Sequence, residues 1–222
     1  MTRKPVLFSR SFIQTHPIAT YFLVWVLSVF IVSLELFGSG VANSQALLAD
    51  VGHVASDTLL ALVPLAALVF VRAGLRYERV AFVASLAAVA VLLYVGIHVG
   101  SEALGALTGG EEHEHEVHGW YLFLFSGLAA ILNLFQHRLL SRVDPEHHHG
   151  AHKGLHFHVL MDLVKNIALP VLGAGIALEL LPHESDLWAA LVIGALLILR
   201  ALLLLYATFF PKRTEHAGHS HA

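Results

Sequence analysis

Long apolar runs separated by short polar stretches fill nearly the whole chain, at approximately 18–38, 46–71, 80–106, 119–140, 156–180 and 187–210. Each reaches the length of about 20 residues that a helix needs to cross a bilayer. Six such runs leave little sequence for anything else. In lipid every backbone polar group must be satisfied internally, so the pattern predicts an all-α polytopic membrane protein, a six-transmembrane-helix bundle with no C-terminal soluble domain. The expected organisation is a cytoplasmic N-terminal segment over 1–17, a six-helix membrane domain over 18–210 and a short His-containing tail over 211–222. The leader before the first run is polar and basic, and no clean cleavage site follows a short apolar core, so a removable signal peptide is not expected.

Composition agrees with this reading: 57% of residues are hydrophobic and 13% charged, against roughly 25% charged in a soluble domain. Charge placement sets the orientation. Arg3, Lys4 and Arg10 precede the first run, and Arg72, Arg76 and Arg79 separate the second from the third. Arg138, Arg142 and Lys153 lie between the fourth and fifth, and Lys212 and Arg213 follow the sixth. The alternate connections hold no Lys or Arg and are acidic instead, with Glu111, Glu112, Glu114 and Glu116 in one and Glu184 and Asp186 in another. The excess of basic residues on one side predicts a multi-pass protein of the inner (plasma) membrane with both termini in the cytoplasm. The net charge of −3 says little about partners, and nothing points to nucleic acid. With no cysteine, disulfides and thiolate metal ligands are both excluded.

The polar residues inside the runs carry the chemistry. His53 and Asp57 sit in the second run and His158 and Asp162 in the fifth, each a His-x-x-x-Asp pair. One helical turn separates the members of a pair, so imidazole and carboxylate leave the same face. Asp50 extends the first pair into a stripe at i, i+3 and i+7, with Pro64 further along; Lys165 extends the second, with Asn166 beside it and Pro170 after it. The second and fifth runs cross the membrane in opposite directions, which sets each histidine against the other helix's aspartate at similar depth. Four such ligands suit a tetrahedral Zn2+ site. One His-x-x-x-Asp pair alone is most simply a buried hydrogen-bonded couple; two on separate spans favour a shared metal, because ionisable groups in a bilayer are costly.

Other polar positions are open to more than one reading. Lys165 is an ammonium one turn from Asp162, suited to repel a cation, to pair with Asp162 or Glu35, to act as a counter-charge, or to snorkel toward an interface. Arg200 in the sixth run raises the same question, as a partner for another buried acid. His98 and Glu102, an i, i+4 pair toward the outer end of the third run, fit an exit path or packing. Many of the 17 histidines gather in EEHEHEVHGW, in DPEHHHGAHKGLHFH and in the tail TEHAGHSHA. Such stretches bind metal weakly at best, since a tight site needs preorganised ligands.

These residues bring a resemblance into view. LLADVGHVASDTLLAL resembles the second transmembrane helix of the cation diffusion facilitator family, whose zinc-transporting members carry an Ala-Asp-x-x-His-x-x-x-Asp pattern there, and HVLMDLVKN resembles the fifth helix. Glu35 late in the first run, Asn133 in the fourth and the His-rich inner loop extend the likeness from about 18 to 210. The resemblance implies export of a divalent cation, usually Zn2+, from the cytoplasm in exchange for protons. It implies His53, Asp57, His158 and Asp162 as the transport site; Asp50, Lys165 and Glu35 are candidate accessory or proton-coupling residues, with Lys165 a departure, since the resemblance leads one to expect a small polar residue there. Elementary chemistry supports the coupling: imidazole titrates near a pKa of ~6.5 and must be neutral to bind metal, so cation and proton compete for one nitrogen.

The chain also departs from the family. Most members continue into a folded cytoplasmic domain, where this sequence has the stretch Pro211–Ala222. VRAGLRYERV between the second and third runs has no histidine or aspartate, so a second loop metal site is not expected. A homodimer would form through the membrane helices; Gly96 and Gly100 offer a GxxxG for close approach, a motif equally suited to packing within one chain. Co2+, Fe2+, Mn2+ and Cd2+ also accept nitrogen and oxygen ligands and stand beside Zn2+ as cargo. A different class, an intramembrane zinc-dependent hydrolase with Asp50 as general base, would need an open coordination position and oxyanion donors, and the sequence offers neither.

Overall fold

The computed structural model describes residues 17–72, 78–109, 116–140 and 166–210. They form α1 (Pro17–Ala42), α2 (Gln45–Arg72), α3 (Glu78–Thr108), α4 (Gly119–Leu140), α5 (Asn166–Ala177) and α6 (Glu184–Phe209). Among the described residues every element is helical. Five helices are long and apolar enough to cross a membrane, and α5 is shorter over its described residues. α1 to α4 and α6 fall where the apolar runs predicted them, and the described part of α5 lies within the fifth run. α1 runs on past the expected end at 38 to Ala42, because Gly38 nestles against Phe125 of α4 and Ser39 donates its hydroxyl back to the Leu36 carbonyl at 2.8 Å. α2 passes through Pro64 without interruption.

Helix α2 is central, packing on α1, α3 and α6; α3 also packs along α6, and α1 along α4. One face of α2 is lined by small side chains, with Ala46, Ala49 and Ser56 fully buried, and a methyl on Gly52 would lie 2.6 Å from Val95 of α3. Helices in lipid gain little from burying apolar surface against each other, so small residues that let backbones approach supply the contact instead. Large side chains such as Phe30, Ile131, Val192 and Leu203 point outward, as a hydrocarbon surround requires.

The GxxxG of α3 is used inside the chain. A methyl on Gly96 would come within 2.9 Å of the Gly194 carbonyl oxygen on α6, and one on Gly194 within 3.0 Å of the Gly96 oxygen. The motif is therefore spent on seating α6 against α3. A second glycine pair does the same for α4 and α5: a methyl on Gly173 would lie 2.5 Å from the Phe123 nitrogen and 3.0 Å from the Gly119 oxygen.

Three connections meet at one end of the bundle, and their hydrogen bonds form a clasp. At the end of α1, Asn43 adopts φ 51°, a left-handed conformation that asparagine tolerates. Ser44 N–H then reaches back to the Ser39 carbonyl at 3.0 Å and Asn43 N–H to Gly40 at 3.4 Å, the 6→1 and 5→2 bonds that close a helix C-terminus. Ser44 at once begins α2, its hydroxyl accepting from Leu47 N–H at 3.1 Å. Glu179, with φ 58°, ends α5 in the same way through Leu180 N–H to Gly175 at 2.9 Å, and Pro182 follows as a helix stop.

The segment before α4 is threaded between these two turns. Asn43 donates through Nδ2 to the Glu116 carbonyl at 2.9 Å, His118 N–H donates to Ala42 at 2.9 Å, and Val117 N–H donates to Nδ1 of His183 at 3.0 Å. The closing contact comes from Asp186. Expected in an acidic loop, it instead lies in the first turn of α6 and is fully buried. Its carboxylate accepts from the Ser44 hydroxyl at 2.6 Å, from Gln45 N–H at 2.8 Å and from Ala46 N–H at 3.4 Å. Those amides are the unsatisfied donors of a helix start, where the helix dipole also favours an anion, so α6 caps α2.

Candidate metal centre

His53 and Asp57 lie about 12 and 18 Å along α2 from the clasped end, at the ordinary rise per residue. Both share one face, with His53 Nε2 3.3 Å from Asp57 Oδ2. The face looks toward α6. There Arg200 lies about 24 Å along its helix, and because side chains tilt toward a helix's N-terminus, its long arm rises back toward the clasped end to the level of the pair. Its Nη1 is 2.6 Å from His53 Nδ1 and 3.2 Å from Nε2. The same nitrogen is 3.5 Å from Asp57 Oδ2, while Nη2 donates to Asp57 Oδ1. A guanidinium carries donors only, so whichever ring nitrogen it bonds must accept.

The triad is part-buried, with side-chain exposures of 13% for His53, 28% for Asp57 and 25% for Arg200. The three side chains are thus neither sealed in the packed core nor freely exposed. The local backbone is tied down: Ser56 donates to the His53 carbonyl at 2.7 Å and Thr58 to Val54 at 2.8 Å. Nearer the clasp, Asp50 on α2 and Glu35 on α1 are almost completely buried, at 2% and 1% exposure. They lie about 8 and 10 Å from the helix ends at that side, so two further carboxylates stand above the pair, between it and the clasp.

His158, Asp162 and Lys165 lie outside the described residues, as do the His-rich stretches over 110–115 and 141–165 and both terminal segments. α5 is described from Asn166 onward; Asn166 is buried at its start. Among the described residues no three imidazole and carboxylate groups converge. His98 and Glu102, 3.5 Å apart on α3, are each 45% exposed, with the His98 ring stacked on Tyr94. The sequence leaves Arg200 open, with pairing to a buried acid as one reading, and does not name the acid. It also took Asp186 for a loop residue. An acidic first turn after Leu180–Leu181–Pro182 was the available sign that α6 starts there, yet nothing local names α2 as the partner.

Comparison with known proteins adds one finding. None of the curated proteins compared with the chain matches it. The family model described as the cation efflux transmembrane domain matches residues 21–210, a span running from early α1 to the end of α6 and enclosing both His-x-x-x-Asp pairs. The members of that family are transporters, not enzymes, which leaves the hydrolase reading without support. The protein is thus a multi-pass membrane protein that belongs to the cation efflux transmembrane domain family and moves divalent cations.

Proposed function

We propose that the chain exports Zn2+ from the cytoplasm in exchange for protons, using His53 and Asp57 of α2 with His158 and Asp162 as a four-ligand site. The observation that carries this reading is the α2 pair itself: an imidazole and a carboxylate on one face, part-buried at mid-span, in a family of cation transporters. Tetrahedral nitrogen and oxygen coordination fits Zn2+, and Co2+, Fe2+, Mn2+ and Cd2+ are competing cargoes. Metal and proton compete at the histidines, so loading on one face and protonation on the other link the two flows. Alternating access would then come from rocking of helices about a mid-membrane site. Asp50 and Glu35, buried above the pair, suit proton relay on the exit side, and Lys165 suits a neighbouring counter-charge. The basic connections favour six spans with both termini in the cytoplasm of a plasma membrane. A homodimer would use exposed helix faces other than the Gly96 contact already taken within the chain.

Reconstituted vesicles test the reading. Zn2+ uptake should follow an opposing pH gradient, and Asp57→Ala or Asp162→Ala should reduce it at least ~100-fold by removing one of four ligands. Uptake that survives both substitutions would sink the site assignment.

A further inference from the structure

Arg200 is placed where a metal ion would have to be. Of the donor atoms that the α2 pair offers a cation, the guanidinium engages three: His53 Nδ1 at 2.6 Å, Asp57 Oδ2 at 3.5 Å and Asp57 Oδ1 through Nη2. The remaining ring nitrogen, Nε2, lies 3.2 Å from Nη1 and 3.3 Å from Asp57 Oδ2. No divalent ion can take these atoms while the guanidinium holds them. Arginine keeps its charge at any physiological pH, so protonation cannot remove it; it must move.

We propose that Arg200 is a tethered counter-cation that fills the α2 half of the transport site when cargo is absent and must be displaced for cargo to bind. This rests on the reading of His53 and Asp57 as metal ligands. The charge balance explains why a membrane protein would keep such a residue. Without cargo Asp57 is an anion in a medium of low dielectric, where negative charge calls for a nearby cation. Arg200 neutralises it without a free cation being drawn in. When a divalent ion arrives, the two cations repel across a few ångströms, and the guanidinium withdraws. Its side chain allows this: it is unbranched, anchored about 6 Å further along the bundle than Asp57, and turns about several bonds. The bound and empty states are then exchanged by swapping one cation for another at the same carboxylate, and the affinity of the site is set low enough for release.

The test uses the purified full chain in lipid nanodiscs, with Zn2+ alone as the probe and affinity read by chelator competition. Arg200→Gln removes the competitor and should tighten Zn2+ binding by ~10-fold or more. Arg200→Lys keeps a tethered cation and should stay near the wild-type value. Asp57→Asn combined with Arg200→Gln should lose the gain. Because Arg200→Gln alters a membrane-embedded contact, a second measurement uses the wild-type chain: phenylglyoxal modification of Arg200, followed by peptide mass spectrometry, should rise several-fold when Zn2+ is added. Zn2+ affinity in a folded Arg200→Gln protein that is equal to or weaker than wild type would overturn the proposal, as would Arg200 reactivity that Zn2+ leaves unchanged or lowers. In either case Asp57-dependent Zn2+ binding by the wild type would leave the metal-site reading standing. Absence of Asp57-dependent binding in every form would remove both.

Discussion

Helices α2 and α6 meet through a charged side chain in two places, and the two meetings are built differently. At the clasped end Asp186 of α6 is fully buried and accepts from the Ser44 hydroxyl and from the Gln45 and Ala46 amides of α2. At mid-span Arg200 of α6 holds Asp57 and His53 of α2, all three side chains part-buried. One carboxylate is held mainly by backbone donors, the other by the tip of a long side chain. Backbone amides cannot leave without unwinding the first turn of α2. A guanidinium leaves by rotation about side-chain bonds. The first contact fastens the helix pair, and the second can be exchanged against another cation while the fastening holds.

The largest effect on stability should come from breaking the fastening. Asp186→Ala strands two helix-start amides and the Ser44 hydroxyl that are buried with it at the clasp, a loss of about 2–3 kcal/mol. Unfolding followed by heat or denaturing detergent should show it, while Zn2+ affinity in the protein that remains folded stays at the wild-type value. A normal unfolding transition with Zn2+ binding lost would reverse the roles given to the two aspartates.

A smaller effect sharpens the comparison from the α3 side. Gly194 lies between the clasp and Arg200 on α6, where an added methyl already comes within 3.0 Å of the Gly96 carbonyl oxygen. Gly194→Leu should push α6 away from α3 at a cost of about 1–3 kcal/mol. If α3 is what seats Arg200 against α2, the same variant should raise Arg200 reactivity toward phenylglyoxal without Zn2+. Unfolding at the wild-type temperature would show that the glycine contact carries little of the packing.

The helices were legible in the sequence because apolar length alone decides them in a bilayer. α2 to α4 and α6 appear within a few residues of the runs that predicted them, and α1 outlasts its run only where Gly38 and Ser39 find partners on other turns. The shared face of His53 and Asp57 was equally legible, since it follows from helical spacing. Contacts between helices were not. That Arg200 could pair with a buried acid is legible from its cost in lipid, but whether Asp57, Asp50 or Glu35 meets it depends on how α6 is rotated, which small residues at Gly96 and Gly194 influence. Asp186 was harder still: its loop-like neighbourhood hid a first turn, and its partners are backbone amides that exist at every helix start. The sequence pattern specifies which side chains need partners; the packing of small residues specifies which partners they get.

The smallest effect concerns the turn that delivers Ser44 to Asp186. Asn43 holds φ 51° and also donates to the Glu116 carbonyl at 2.9 Å. Asn43→Gly relaxes the left-handed backbone but gives up that bond, two terms of similar size, so stability should change by no more than about 0.5 kcal/mol. Asn43→Val gives up the same bond and places a β-branched residue in a conformation that costs about 1–2 kcal/mol. The difference between the two variants, read from their unfolding midpoints, therefore isolates the backbone strain from the side-chain bond. If Asn43→Gly were as damaging as Asp186→Ala, the fastening of α2 would belong to the Asn43–Glu116 contact, and Asp186 would be no more than an acid beside a helix start. A near-neutral glycine leaves the fastening with the Asp186 carboxylate, and with it the contrast to the exchangeable pair at Asp57.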